Sequence, residues 1–442
     1  MKDSQTSLVE IDRLRIGVFI HLDLGWTEHP FPFNSFKLRS LEQIQALRDL
    51  GLQRVRYSPE RSDVQPLPEA LAEPAAGDDA GQADQPTAQS AAAKSVGESG
   101  DVSNGRRGKR ELLLAQQANL ERCERQFGDA SRSYRGLVQM LRAQPEQAVG
   151  EASTLIASMV EEMTGEREVA IRLLSEKAGE ESALHALNVT VLSVLLGRAC
   201  GYDTESLRQI GLGALLHDIG KLELPDRLRW ADEGTAGGPA ERRLFQQHVE
   251  HGVRLVRPLG LPPIAEEIIL QHHEHADGSG YPAGLFGESI GLGARVVSLV
   301  NQYDNLCNPA NPAQALTPHD ALAIMFARQR GRYDATTMAV FIRMMGVYPP
   351  GSVVQLNDER FALSVAVNPM RPLKPRVVVY DPEVPTEEAL ILDLEDSPTL
   401  GVQRALKPLQ LPRAVFDYLS PRKRMCYFFE RSREPQEGSA AA

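Results

Sequence analysis

The sequence predicts a multidomain protein whose principal domain is an all-α helical bundle, with a small α+β module ahead of it and a small β-rich appendage behind. Three observations carry this. At 442 residues the chain exceeds what one hydrophobic core usually sustains. From about 181 to 345 apolar residues recur at helical spacing, as in Leu184, Leu187, Val191 and Leu195, or Ile264, Ile268 and Ile269. On either side of that stretch the pattern shortens to the alternation expected of strands.

Residues 1–57 form the α+β module. Leu8, Val9 and Ile11, then Ile16, Val18, Phe19 and Ile20 suit short strands interrupted by Gly17 and followed by turns around Gly25 and Pro30. A helix follows from Ser40, with Leu41, Ile44, Leu47 and Leu50 before Gly51, and Gln53 to Tyr57 closes the module as a strand. Residues 58–108 are rich in Pro, Ala, Gly, Gln, Asp and Ser and bury too little to offset the entropy of ordering, so a disordered linker is expected. Residues 109–178 read as a helical connector, one helix or a pair, with a dimerising coiled coil and hence a homodimer as the alternative. The bundle takes residues 179–345. Residues 346–442 turn to strands, with Val353, Val354 and Leu356, then Phe361 to Val367, then Arg376 to Tyr380, before a partly apolar segment, Arg404 to Phe429, and a flexible tail.

A net charge of −11 argues against bulk nucleic-acid binding, although a local cationic cluster can still hold a small anion. The four cysteines are scattered and form no CxxC pair, which disfavours a disulfide framework or a thiolate zinc site. No signal pattern and no apolar run long enough to span a bilayer is visible, so a soluble, cytoplasmic protein is expected.

Seven of the ten histidines fall between His185 and His275. They sit in blocks with carboxylates: EESALH to His185, HDIGK from His217, QHVEHG around His248, and HHEHADGSGYP from His272. Such a density of imidazoles and carboxylates suits several divalent metals acting on a phosphate ester. On a helix the adjacent residues His217 and Asp218 diverge by about 100°, so they are not expected to chelate one ion together, and Asp218 is free to bridge two. His272 and His273 likewise suit two neighbouring metals, one ring each. Glu181 and His185 share a helix face if the helix has begun by Glu181. His248 comes from another helix, and the Gly- and Pro-rich loop Asp277 to Pro282 should wall the pocket. Lys221, one turn after Asp218, can reach an anion held on the metals. His251 and His275 read as ordinary surface or hydrogen-bonded side chains.

His217-Asp218-Ile219-Gly220-Lys221, His272-His273-Glu274 and Asp277-Gly278-Ser279-Gly280-Tyr281-Pro282 resemble the HD-GYP subgroup of HD-domain metal-dependent phosphohydrolases, over about 180 to 345. The module at 8–57, including Trp26 and His29-Pro30-Phe31, resembles a small domain often found ahead of HD-GYP domains. The resemblance implies an HD-type helical catalytic domain that hydrolyses cyclic di-GMP to linear pGpG or GMP with two or three iron or manganese ions. It implies metal ligation by His185, His217, Asp218, His248, His272 and His273, with Glu181 as the extra carboxylate of trinuclear members. Lys221 and Tyr281 would face the substrate. Asp218 and Lys221 would take part in catalysis, with activated water attacking phosphorus in line and no covalent enzyme intermediate. The GYP loop is also where a diguanylate cyclase partner would dock.

Two departures stand out. Where the family carries a ligand aspartate in the late helix this chain has Asn301, and an amide oxygen is a weaker ligand than a carboxylate. The family's Arg-Pro-Tyr-Arg stretch is replaced by Pro309-Ala310-Asn311-Pro312-Ala313, which removes two guanidiniums. Three readings follow: an active cyclic di-GMP phosphodiesterase, a degenerate metal- or nucleotide-binding interaction module, and a phosphohydrolase for another nucleotide.

Overall fold

The computed structural model describes residues 7–22, 35–38, 41–67, 99–165, 169–175, 181–231, 237–369, 371–397 and 399–431. The chain forms two compact units, Met1–Leu114 and Ala115–Ala442. Among the described residues no helix is long and apolar enough to cross a membrane.

The first unit contains the expected α+β module. Strands β1 (Ser7–Glu10), β2 (Phe19–His21), β3 (Ser35–Lys37) and β4 (Arg54–Tyr57) form an antiparallel sheet in the order β1-β4-β2-β3. Helix α1 (Leu41–Asp49) contributes Ile44 and Leu47 to a core with Val9, Ile11, Val18, Ile20, Leu38 and Val55. The module does not end at Tyr57. The Asp63 and Leu67 N–H groups donate to the Gly17 and Arg13 carbonyls, and Val64 packs on the core, so the first ten residues of the expected linker belong to the fold. Residues 68–98 of that linker, and Trp26 with His29-Pro30-Phe31, lie outside the described residues.

The helical connector begins earlier than expected and ends sooner. Helix α2 spans Ser99–Met140 and α3 spans Pro145–Thr164, but Val169–Leu173 is a strand, β5. All five of its residues are buried, and a short run buried on both faces shows neither helical nor strand periodicity in the sequence.

The bundle follows: α4 (Glu181–Ala199), α5 (Thr204–Leu216), the short α6 (Asp226–Arg229), α7 (Pro239–Gln246), α8 (His248–Val256), α9 (Pro263–Gln271), α10 (Leu292–Cys307), α11 (Pro318–Gln329) and α12 (Ala335–Met345). The expected stripe on α4 understates its burial. Leu192, Val194 and Leu196 are enclosed along with Leu184, Leu187, Val191 and Leu195, as befits a helix apolar all round and packed between α5 and α10. Helix α5 starts at Asp203, whose carboxylate accepts the Ser206 N–H at 2.8 Å, and packs against α3 and α9.

The region after 346 is no separate appendage. Strands β6 (Val353–Leu356), β7 (Phe361–Val367), β8 (Arg376–Val379), β9 (Ile391–Asp393), β10 (Val402–Leu406) and β11 (Tyr427–Arg431) join β5 in one seven-stranded sheet, with α13 (Arg413–Leu419) between the last two strands. The order is β10-β6-β7-β5-β11, with β8 on β7 and β9 on β8. A strand from ahead of the bundle therefore sits between two from behind it. Strand β11 runs antiparallel to β5 with Tyr427 opposite Leu173 and Arg431 opposite Val169.

The sheet is keyed into the bundle by polar side chains. The Tyr427 N–H donates to Asn188 Oδ1 on α4 at 2.9 Å, and Asn188 Nδ2 donates to the Met425 carbonyl at 2.8 Å. The Tyr427 and Tyr303 hydroxyls meet at 3.1 Å, both rings fully enclosed. Tyr427→Ala should destabilise the second unit by about 3–5 kcal/mol, the usual cost of emptying a buried aromatic site. Urea unfolding measures this, and a loss below about 1 kcal/mol would favour a detached appendage.

Candidate metal centre

The centre is assembled where helices end. Helix α5 stops at Leu216, and Asp218, at φ −95° and ψ 6°, opens a 3₁₀ turn, Ile219–Glu223. Because the α-helix has ended, His217 and Asp218 do not diverge as a continuous helix would make them: His217 Nε2 lies 3.5 Å from Asp218 Oδ2. Helix α9 likewise stops at Gln271, and the His272 and His273 ring centroids come within 4.3 Å. The expectation of one ring for each metal is corrected, since His272 and His273 fall in one donor group with Asp218 and His248. Gly220 permits the approach of α8: a Cβ there would run into the His248 carbonyl oxygen and the Gly252 nitrogen.

Two donor groups result. Asp218, His248, His272 and His273 each offer an atom within 4.8 Å of the others, and so do His185, His217 and Asp218. Asp218 belongs to both. Its Oδ2 is 3.5 Å from His185 Nε2, and its Oδ1 is 3.4 Å from His248 Nε2 and 3.8 Å from His272 Nε2.

Hydrogen bonding fixes which ring nitrogen faces inward. In His217, His248 and His272 the Nδ1 lies 2.7, 2.7 and 3.0 Å from the carbonyl oxygen three residues back, at Ala214, Phe245 and Ile269. A carbonyl only accepts, so each Nδ1 carries the proton and each Nε2 keeps a lone pair. Yet the Nε2 atoms of His185 and His217 are 3.2 Å apart, and those of His248 and His272 are 3.3 Å apart. Facing lone pairs at that distance repel unless a cation lies between them. Asp218 Oδ1 and His273 Nε2 are also buried without a hydrogen-bond partner, which an enclosed polar atom rarely tolerates. The donor set of imidazoles and one carboxylate fits divalent transition metals.

Electrostatics agree. Burial disfavours charge on Asp218, but the Lys221 ammonium and His217 hold its pKa well below the usual carboxylate range. Burial first, and neighbouring imidazoles next, push His272 and His273 well below the ordinary 6.5, and burial brings His248 to about 4. All three rings are thus neutral at pH 7 and available to a metal.

The remaining expected residues fall around this centre. Lys221 Nζ lies 2.7 Å from Asp218 Oδ2 and 5.2 Å above the Phe245 ring. The Tyr281 ring stacks on His273 at 4.5 Å. Its loop is held by Glu274, whose carboxylate accepts the Ala283 and Leu285 N–H groups at 2.6 and 2.8 Å. Gly280 is required there, since a Cβ would meet the backbone of residues 273–275. Asn301 is buried on the cavity wall and accepts from Asn305 Nδ2 at 2.9 Å. Glu181 opens α4, but its side chain lies outside the described residues. His251 and His275 join neither donor group.

The sequence reading missed how His185 is held. Its Nδ1 lies 2.7 Å from Asp304 Oδ2, while Asp304 Oδ1 accepts from Asn188 Nδ2 at 2.7 Å and Asn308 Nδ2 at 2.9 Å. Asp304 is fully buried and orients His185 without reaching the centre itself, the role of a carboxylate behind a metal-binding imidazole. Asn188 gave a signal: a polar residue one turn after His185 in an otherwise apolar helix.

Two cavities, of about 470 and 510 Å³, are both lined by Asp218, Lys221, Asn305 and Pro309. Tyr134 and Arg135, from the expected connector, line the smaller one, which no motif announced.

A buried histidine and aspartate centre between helix ends defines an HD-type domain. Residues 139–337 match the family model for the HD domain, and residues 7–152 match a domain of unknown function, DUF3391. A cyclic di-GMP phosphodiesterase of Pseudomonas aeruginosa is 27% identical over 379 residues, covering 84% of each chain. A cyclic di-GMP phosphodiesterase response regulator of Xanthomonas campestris pv. campestris is 32% identical over 204 residues, which cover 45% of this chain and 53% of that protein. Among solved structures, an HDG"Y"P protein from Bdellovibrio bacteriovorus aligns over 76% of this chain and 97% of its own, at 16% identity and a TM-score of 0.40. The chain thus carries an HD domain, with a DUF3391 domain ahead of it.

Asp304→Asn tests the orienting bond. With Asn188 and Asn308 both donating to one side of residue 304, its amide NH₂ would turn toward His185 and force the proton onto Nε2. Manganese affinity should fall about 10- to 100-fold. Unchanged affinity in a metal titration would remove Asp304 from this role.

Proposed function

We propose that the protein is a cyclic di-GMP phosphodiesterase, hydrolysing the cyclic dinucleotide to linear pGpG, GMP or both at two divalent ions, iron or manganese, that share Asp218. One observation carries the reading: two donor groups, built of imidazoles and one carboxylate, meet at a single side chain that lines two cavities. The names of the relatives in Pseudomonas and Xanthomonas support the substrate.

His248, His272 and His273 with Asp218 would hold one ion, and His185 and His217 with Asp218 the other. Glu181 opens α4 four residues before His185 and is the residue that would serve a third ion. When bound, such ions polarise phosphate oxygens and lower the pKa of a coordinated water. The chain's own groups do the rest. Lys221 has its ammonium beside Asp218 and on the lining of both cavities, where it would hold a phosphate oxygen of the substrate. Tyr281 covers His273 and limits the access of bulk water from that side. Asn301 places a neutral amide on the wall of the larger cavity, so the negative charge available to the two ions would be smaller by one than with an aspartate.

Full-length protein reconstituted anaerobically with iron or manganese should convert cyclic di-GMP to pGpG or GMP on chromatography. Asn301→Asp should bind manganese about tenfold more tightly. No turnover by the wild type, with turnover gained in Asn301→Asp, would mark a degenerate centre; turnover confined to other phosphodiesters would reassign the substrate.

A further inference from the structure

The smaller cavity has a charge out of keeping with the chain. In a protein of net charge −11, its described lining includes four cationic side chains, Arg135, Lys221, Arg229 and Arg424, and one acidic side chain, Asp218 of the metal centre. The three arginines come from elements far apart in sequence: α2, the end of α6, and the segment leading into β11. Three guanidiniums and an ammonium along one cavity make its local potential positive and favour an anion there.

The other lining residues give the cavity a second character. Trp230, directly after Arg229, is 66% exposed although it borders the cavity, an unusual position for the largest apolar side chain in a monomeric surface. Arg229 fixes the segment that carries it by donating toward the Leu222 and Leu224 carbonyls and pairing with Asp226 at 3.1 Å. Pro309 and Ala310, which also line this wall, supply no charge. An anionic group beside a flat aromatic face, next to a phosphoester-cleaving centre, is the recognition chemistry of a nucleotide.

We propose that this cavity is a nucleotide subsite. Arg135 and Arg424 take the phosphate of the cyclic dinucleotide that is not being cleaved, and Trp230 stacks on the adjoining base. This rests on the reading of the centre as a cyclic dinucleotide phosphodiesterase and adds the residues that hold the far half of the substrate. The two cavities share Asp218, Lys221, Asn305 and Pro309, so a substrate with its scissile phosphate at Asp218 and Lys221 would have space for a nucleoside in each cavity. Helix α2 and the terminal segment of the sheet then serve the substrate as well as the scaffold.

Steady-state kinetics of the manganese-loaded full chain test this, with cyclic di-GMP as substrate. Arg135→Ala and Arg424→Ala should each raise KM about tenfold or more and Trp230→Ala about fivefold, with kcat changed far less than KM. Lysine at 135 or 424 should recover part of the loss, and manganese content should stay at the wild-type value. Trp230 is exposed, so its variant reads the subsite even if an arginine variant fails to fold. KM within about twofold of wild type in the folded, manganese-replete variants overturns the subsite while the phosphodiesterase reading stands. Absence of cyclic di-GMP turnover in the wild type overturns both.

Discussion

The structure turns on three short hydrogen bonds. His217, His248 and His272 each give their Nδ1 proton to the carbonyl three residues back, at a point where a helix is ending. Each bond leaves an Nε2 lone pair aimed inward, and the lone pairs converge on one carboxylate, Asp218, together with His185 and His273. Lys221 satisfies Asp218 Oδ2, but Asp218 Oδ1 and His273 Nε2 are left buried without a partner. The helices of the bundle, the glycine that lets α8 approach and the loop over His273 all keep that arrangement closed.

The sheet contributes to the same centre through a chain of contacts. Strand β11 donates the Tyr427 N–H to Asn188, Asn188 donates to Asp304, and Asp304 accepts from His185. Tyr427, Asn188 and Asp304 are buried, so a displacement at one of them leaves a polar atom unsatisfied at the next. This explains why the chain returns after the bundle to complete a sheet begun by β5 ahead of it. The terminal strand helps set the orientation of an imidazole in another part of the fold.

Much of this was legible in the sequence because it is local. Helical periodicity located the bundle, and the adjacent pairs His217-Asp218 and His272-His273 marked the centre. The geometry of those pairs was misread, since a continuous helix was assumed where the α-helix in fact stops at Leu216 and Gln271. Strand β5 was taken for helix because five residues buried on both faces carry no period. The sheet was taken for an appendage because its pairing joins residues some 250 positions apart, and no local pattern encodes that. Arg135, Arg229 and Arg424 were invisible for the same reason: each is an ordinary surface arginine in sequence, and only the fold gathers them.

The central claim is that one carboxylate, Asp218, joins two donor groups into a single dinuclear centre. Elemental analysis combined with electron paramagnetic resonance of the manganese-loaded protein tests it most directly. The account predicts two ions per chain with an exchange-coupled signal, and loss of that coupling in Asp218→Ala. One ion per chain with an uncoupled signal, or coupling that survives in Asp218→Ala, would contradict it.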